Sequence, residues 1–86
     1  MINKHLIIAF GLKIKELRNK KGISQEELSF FTGFHRTYIG MIERGERNIS
    51  LSNIAVFAKV FEISVAELCD FGIENSSITY QTKVQK

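Results

Sequence analysis

One cysteine, no proline and no tryptophan occur among the 86 residues, and each shortage removes a class of protein. A lone Cys69 can build neither an intramolecular disulfide nor a cysteine-based zinc cluster within one chain, which fits a reducing cytoplasm. His5 and His35 have no cysteine or carboxylate at ligand spacing, so no metal site and no cofactor are expected. Nucleophile motifs and phosphate-binding glycine loops are also missing, which argues against an enzyme. The apolar run Leu6 to Leu12 is too short to span a bilayer, is followed by Lys13 and Lys15, and lacks a small-residue cleavage site. A cytoplasmic chain with no membrane partner is the expectation. Apolar residues make up 44% and charged residues 24%, a globular mixture rather than a disordered one. A chain of this length has room for one compact domain, and so small a core gains from oligomerisation.

The formal charge is +3, a weak basic signal by itself. Its distribution says more. Residues 1–50 carry nine Lys or Arg against five Asp or Glu, whereas residues 51–86 carry three against four. The basic surplus therefore belongs to one half of the chain, as expected where one half faces nucleic acid.

That half also holds the most informative stretch, Ser24 to Ile42. Ser24 and Glu27 form an S-x-x-E capping box, which starts a helix near Gln25. Gly33 supplies the left-handed backbone that a sharp helix exit needs. A second helix starts near Arg36, with Ile39 and Ile42 inward and Arg36, Thr37, Gly40 and Met41 pointing elsewhere. Small Ser29 lets the two helices approach, and His35 falls in the cap region. Two short helices about one tight turn make a geometry suited to a DNA groove.

Upstream, Leu6, Phe10, Ile14 and Leu17 repeat at helical spacing and predict a helix from about residue 5 to 21, closed by Gly22. Downstream, Ser52 is the expected cap of a fourth helix whose inward face is Ile54, Phe57, Ala58 and Phe61. Ser64, with Glu67 in the capping-box position, opens a fifth that ends near Asp70 to Gly72. Cys69, on this last apolar pattern, is expected to be a small buried hydrophobe. From Ile73 onward the period changes to two: Ile78, Tyr80, Thr82 and Val84 alternate with polar residues. A single strand cannot stand alone, so residues 73–86 are expected to be a disordered tail or to pair with something else.

Ser-Gln-Glu-Glu-Leu at 24–28, Gly33, and Tyr-Ile-Gly-Met-Ile-Glu-Arg-Gly at 38–45 resemble the phage-repressor and Cro type helix-turn-helix (XRE) family. The likeness extends from Leu17 to Leu68. The Arg-Thr-Tyr-Ile and Arg-Asn-Ile-Ser-Leu phrases resemble the restriction-modification controller proteins in particular. The resemblance implies an all-α, five-helix, repressor-like DNA-binding domain over residues 1–72, with the helix-turn-helix formed by helices 2 and 3. It implies a homodimer on a two-fold DNA operator, with half-sites about one helical turn, roughly 34 Å, apart.

In that frame the base-reading residues are Arg36, Thr37, Met41 and, at the edge, Tyr38. Arg36 has the fork that grips guanine, and Thr37 a hydroxyl and a methyl group. Ser24, Gln25, Arg44, Arg47 and Asn48 are the candidates for the DNA backbone. Glu43 would repel DNA if it faced it, and the family pairs the matching glutamate with an arginine of helix 1, here Arg18. Dimer contacts are expected from Val60, Ile63, Val65, Leu68 and Phe71. The competing expectation is an antitoxin-type protein whose tail, residues 73–86, binds a partner protein while the helical body regulates its own operon.

Overall fold

A computed structural model describes residues 4–71. Five helices follow in order, α1 (Lys4–Lys21), α2 (Gln25–Thr32), α3 (Arg36–Glu43), α4 (Leu51–Phe61) and α5 (Val65–Leu68), and no strand occurs among the described residues. The tail expectation for residues 73–86 lies outside them.

Local chemistry sets most boundaries. Both capping boxes form: Ser24 Oγ accepts from Glu27 N at 3.0 Å while Ser24 N donates to Glu27 Oε1 at 2.8 Å, and Ser64 and Glu67 repeat the exchange. Gly33 closes α2 at φ 82°. Past α3, Gly45 at φ 75° lets its N–H reach the Ile42 carbonyl and the Glu46 N–H reach that of Met41. These two bonds satisfy two of the carbonyls in the last turn of α3.

Three expectations are corrected. The cap of α4 is Ser50, not Ser52, because Ser50 Oγ accepts from Asn53 N at 3.2 Å and the helix starts at Leu51. The last helix stops at Leu68, short of Asp70 to Gly72, with Cys69 as its cap residue. Cys69 is therefore exposed rather than a core hydrophobe, although partial burial of its sulfur pushes the thiol pKa up.

The core is built from Phe10 and Ile14 of α1, Leu28 of α2, Ile39 and Ile42 of α3, Phe57 and Ala58 of α4, and Leu68 of α5. Leu68 is fully buried within its own domain, so it has no surface to give to a dimer. Val60, Ile63, Val65 and Phe71 are half-buried and pack on the core's edge. Aromatic rings run as a chain through this interior. Phe71 meets Phe10 edge-on, Phe10 meets Phe57, Phe57 meets Phe34, and Phe34 meets Tyr38, at centroid separations from 5.2 to 6.4 Å.

Two features fix α3 against its neighbours. Where α1 crosses the end of α3, Gly11 is buried, and a Cβ there would stand 2.1 Å from the Ile42 carbonyl oxygen. Only glycine permits that approach. Beside it, Glu43 is buried and bonded to two other elements. Arg18 of α1 grips it with both fork nitrogens, Nε to Oε2 at 2.7 Å and Nη2 to Oε1 at 3.1 Å. Gln25 of α2 donates Nε2 to Oε1 at 3.0 Å. A third Arg18 nitrogen donates to the Ile23 carbonyl in the α1–α2 connection. The hydrogen bond that Arg18 donates to the Glu43 carboxylate raises the Arg18 pKa further above its already high value.

These contacts give two predictions. Gly11→Ala forces α1 off α3 and should destabilise the fold by about 1 to 3 kcal/mol, read as a lower urea midpoint. Arg18→Ala leaves a buried carboxylate without its counter-charge and should cost about 3 to 5 kcal/mol, whereas Arg18→Met with Glu43→Leu should recover much of the loss. An unchanged midpoint for Arg18→Ala would show that the ion pair does not hold the helices.

Candidate nucleic-acid interface

The α2–turn–α3 unit presents one polar edge. Ser29 of α2 donates its hydroxyl to the Phe34 carbonyl, and Phe34 N donates to Thr32 Oγ1 at 3.1 Å. The turn is thus bonded to α2 from both directions. His35 caps α3, its Nδ1 accepting from Thr37 N at 3.0 Å, and it sits on the surface. Ile39 and Ile42 are buried, which turns Arg36 and Thr37 to solvent at the start of α3. Met41 is half-buried, one turn beyond Thr37.

A shallow polar cleft gathers Gln25, Arg36, Thr37, Gly40 and Arg44. Gly40, expected on an outward position, is buried beneath its neighbours' side chains. A Cβ there would lie 3.2 Å from Arg44 Nη1 and 3.5 Å from Gln25 Oε1. The missing side chain makes room for an arginine and a glutamine to lie across the helix. Gln25 is oriented from behind by Glu43, as described above, and Ser24 stands beside it at the N-terminus of α2. That terminus offers backbone N–H groups and the positive end of the helix dipole, the combination that suits a phosphate oxygen.

Arg44 and Arg47 each already have a partner. Arg44 forms a fork-to-carboxylate pair with Glu46, Nε to Oε2 at 3.0 Å and Nη2 to Oε1 at 3.2 Å, on the surface. That hydrogen bond lowers the Glu46 carboxyl pKa and raises that of Arg44. Arg47 lies over the Tyr38 ring, 4.9 Å from its centroid. Asn48 is exposed beside it. Tyr38 is not free at the reading edge, because its ring packs edge-on against Phe34 and its hydroxyl accepts from Asn53 Nδ2 at 3.0 Å. Its place is therefore structural, linking α3 to α4 and carrying Arg47. Asn53 and Glu46 are the neighbours of these candidate residues that the sequence pattern leaves without a role. Glu46 stands in the sequence as an acid between Arg44 and Arg47, whereas the Tyr38–Asn53 bond joins α3 to α4 and leaves no local trace.

The structure thus brings Gln25, Arg36, Thr37 and Arg44 to one cleft, sets Arg47 and Asn48 beyond the end of α3, and puts Arg18 and Glu43 behind them. Among the described residues, no group of three or more His, Cys, Asp or Glu is placed to hold a metal ion, and no helix is long and apolar enough to cross a membrane.

A helix-turn-helix family model matches residues 14–68. The control protein C.BamHI of Bacillus amyloliquefaciens is 41% identical over 71 residues, which cover 81% of this chain and 88% of that protein. The crystal structure of the restriction-modification controller protein C.AhdI from Aeromonas hydrophila superposes with a TM-score of 0.69 at 47% identity, over 72% of this chain and 94% of that one. The controller protein C.Esp1396I, solved as a tetramer in complex with its natural 35 base-pair operator, superposes with a TM-score of 0.68 at 33% identity, over 73% and 83% of the two chains. With the turn between α2 and α3, the buried Ile39 and Ile42 and the outward Arg36 and Thr37 in place, the chain belongs to the phage-repressor and Cro type helix-turn-helix family, with restriction-modification controller proteins among its relatives.

Proposed function

We propose that this protein is a sequence-specific, double-stranded DNA-binding transcriptional regulator that occupies a two-fold operator as a homodimer, in the manner of a restriction-modification controller. The observation that carries the reading is the exposed start of α3, where Arg36 and Thr37 project beside the polar cleft while the helix is fixed from behind through Glu43. An α-helix so presented fits the major groove, where each base pair shows a distinct pattern of donors and acceptors. Arg36 reads guanine through O6 and N7, Thr37 meets a neighbouring base, and Met41 packs deeper, on a thymine methyl. Residues 1–72 act as one DNA-binding domain.

Ser24, Gln25, Arg44, Arg47 and Asn48 position the duplex through its phosphates. One of these contacts is an exchange, in which phosphate replaces Glu46 on Arg44, whereas Arg47 keeps the Tyr38 ring as a backstop while it turns to the backbone. Val60, Ile63, Val65 and Phe71 are the surface from which the operator dimer is built, with Leu68 supporting them from the core. No chemistry is carried out by this arrangement; occupancy of the operator is the output.

Arg36→Ala should cost about 1 to 3 kcal/mol on the operator and relax one base position, with little effect on random duplex. Equal loss on every sequence would refute base reading by Arg36. Glu46→Gln should do the opposite, strengthening binding to all DNA and steepening the salt dependence by up to about one charge, because Arg44 no longer arrives paired. Fluorescence anisotropy at several salt concentrations checks both. An unaltered salt slope for Glu46→Gln would show that Arg44 does not reach the backbone.

A further inference from the structure

His35 carries one nitrogen more than a helix cap needs. Serine hydroxyls do the capping at α2, α4 and α5, through Ser24, Ser50 and Ser64. At α3 the cap is an exposed imidazole immediately before Arg36. Its backbone is extended (φ −64°, ψ 144°), and the side chain folds back over the first helical turn, where Nδ1 accepts from Thr37 N at 3.0 Å. A ring nitrogen that accepts a hydrogen bond carries no proton, so the ring is neutral and its single N–H sits on Nε2. The two nitrogens leave the ring in divergent directions. With Nδ1 turned in to the helix, Nε2–H is directed away from it, and among the described residues nothing accepts from that N–H. The cap therefore fixes both the tautomer and the direction of a donor at the exposed start of α3.

We propose that His35 is a specificity-determining residue, its Nε2–H donating to a major-groove acceptor on the base next to the one that Arg36 reads. The inference rests on the proposed base reading by α3. In the major groove guanine, adenine and thymine offer an acceptor at N7, O6 or O4, whereas cytosine presents an amino donor. A donor held in one place thus excludes cytosine at one operator position. Two observations favour a base over a phosphate. His35 does not line the cleft shared by Gln25 and Arg44, and its bond to Thr37 N keeps the ring beside the Arg36 and Thr37 side chains instead. A neutral ring also adds none of the charge that draws the phosphate backbone. The bond to Thr37 N limits the freedom the ring has left to lose on binding, as in any preorganised contact.

His35→Ser separates the two tasks of the ring. Serine is among the best caps but has no outward donor of comparable reach, so the urea midpoint should stay near that of the wild type. Affinity for the fragment that the wild-type chain enriches from genomic DNA should fall about three- to tenfold, the value of one hydrogen bond, with random-duplex affinity and the salt slope unchanged. Selection repeated with His35→Ser should return the same repeat with cytosine newly accepted at one position flanking the Arg36 base. In the free wild-type chain, long-range proton–nitrogen correlations of the ring, recorded by NMR in mildly alkaline buffer, should place the proton on Nε2.

Four results would overturn the proposal: a proton on Nδ1, a His35→Ser chain that binds its fragment like wild type, an equal loss on fragment and random duplex, or a midpoint that falls together with affinity. The second leaves His35 a cap only, the third makes it a phosphate contact, and the fourth gives the ring to the fold. All four leave the regulator reading standing, whereas a wild-type chain that enriches no sequence would defeat that reading and this inference with it.

Discussion

Glu43 is a carboxylate held almost out of water at the end of the helix that meets DNA in the proposed function, and the arrangement of the first three helices follows from satisfying it. A buried, ionised carboxylate is tolerated only with a counter-charge and hydrogen bonds. Here the charge comes from Arg18 of α1 and a further bond from Gln25 of α2. One side chain on α3 thereby ties down both of its neighbours. Gly11 makes the same junction sterically feasible, since no larger residue lets α1 pass so close to the Ile42 carbonyl. Polar bonding sets the direction of α3, and apolar burial of Ile39 and Ile42 supplies the cohesion.

This rigidity has a consequence for recognition. A side chain on a fixed helix loses less freedom on binding than one on a loop, so a reading surface held from behind gains affinity by preorganisation. The surrounding basic groups are prepared differently. Arg44 is paired with Glu46, and Arg47 lies on Tyr38, so both already have a partner before any DNA arrives. If Arg44 takes the phosphate role proposed for it, an acid beside it weakens contact with every duplex alike. In the proposed function, the base contacts of Arg36 and Thr37 would then account for a larger share of the binding energy, which favours the operator over bulk DNA.

How much of this was legible depended on distance along the chain. The capping boxes at Ser24 and Ser64 are local patterns of three-residue spacing, and they could be read directly. Ser50 and Ser52 offer the same chemistry two residues apart, so spacing alone could not choose between them, and the position of α4 in the fold decided for Ser50. α5 is a single turn of four residues, too short for periodicity to say which side faces inward. Leu68 is buried and Cys69 exposed, the reverse of what Cys69 suggested. Tyr38 could not be placed because its partner Asn53 lies fifteen positions away on another helix. Family resemblance supplied what local pattern could not, the pairing of Arg18 with Glu43 across twenty-five positions.

The most direct test of the central claim is selection of genomic fragments by the purified protein at near-physiological salt, followed by sequencing of the retained DNA and titration of the best fragment. The account predicts enrichment of a two-fold repeat with half-sites about one helical turn apart, occupied by two chains. Weak, salt-erased binding with no enriched sequence would contradict it.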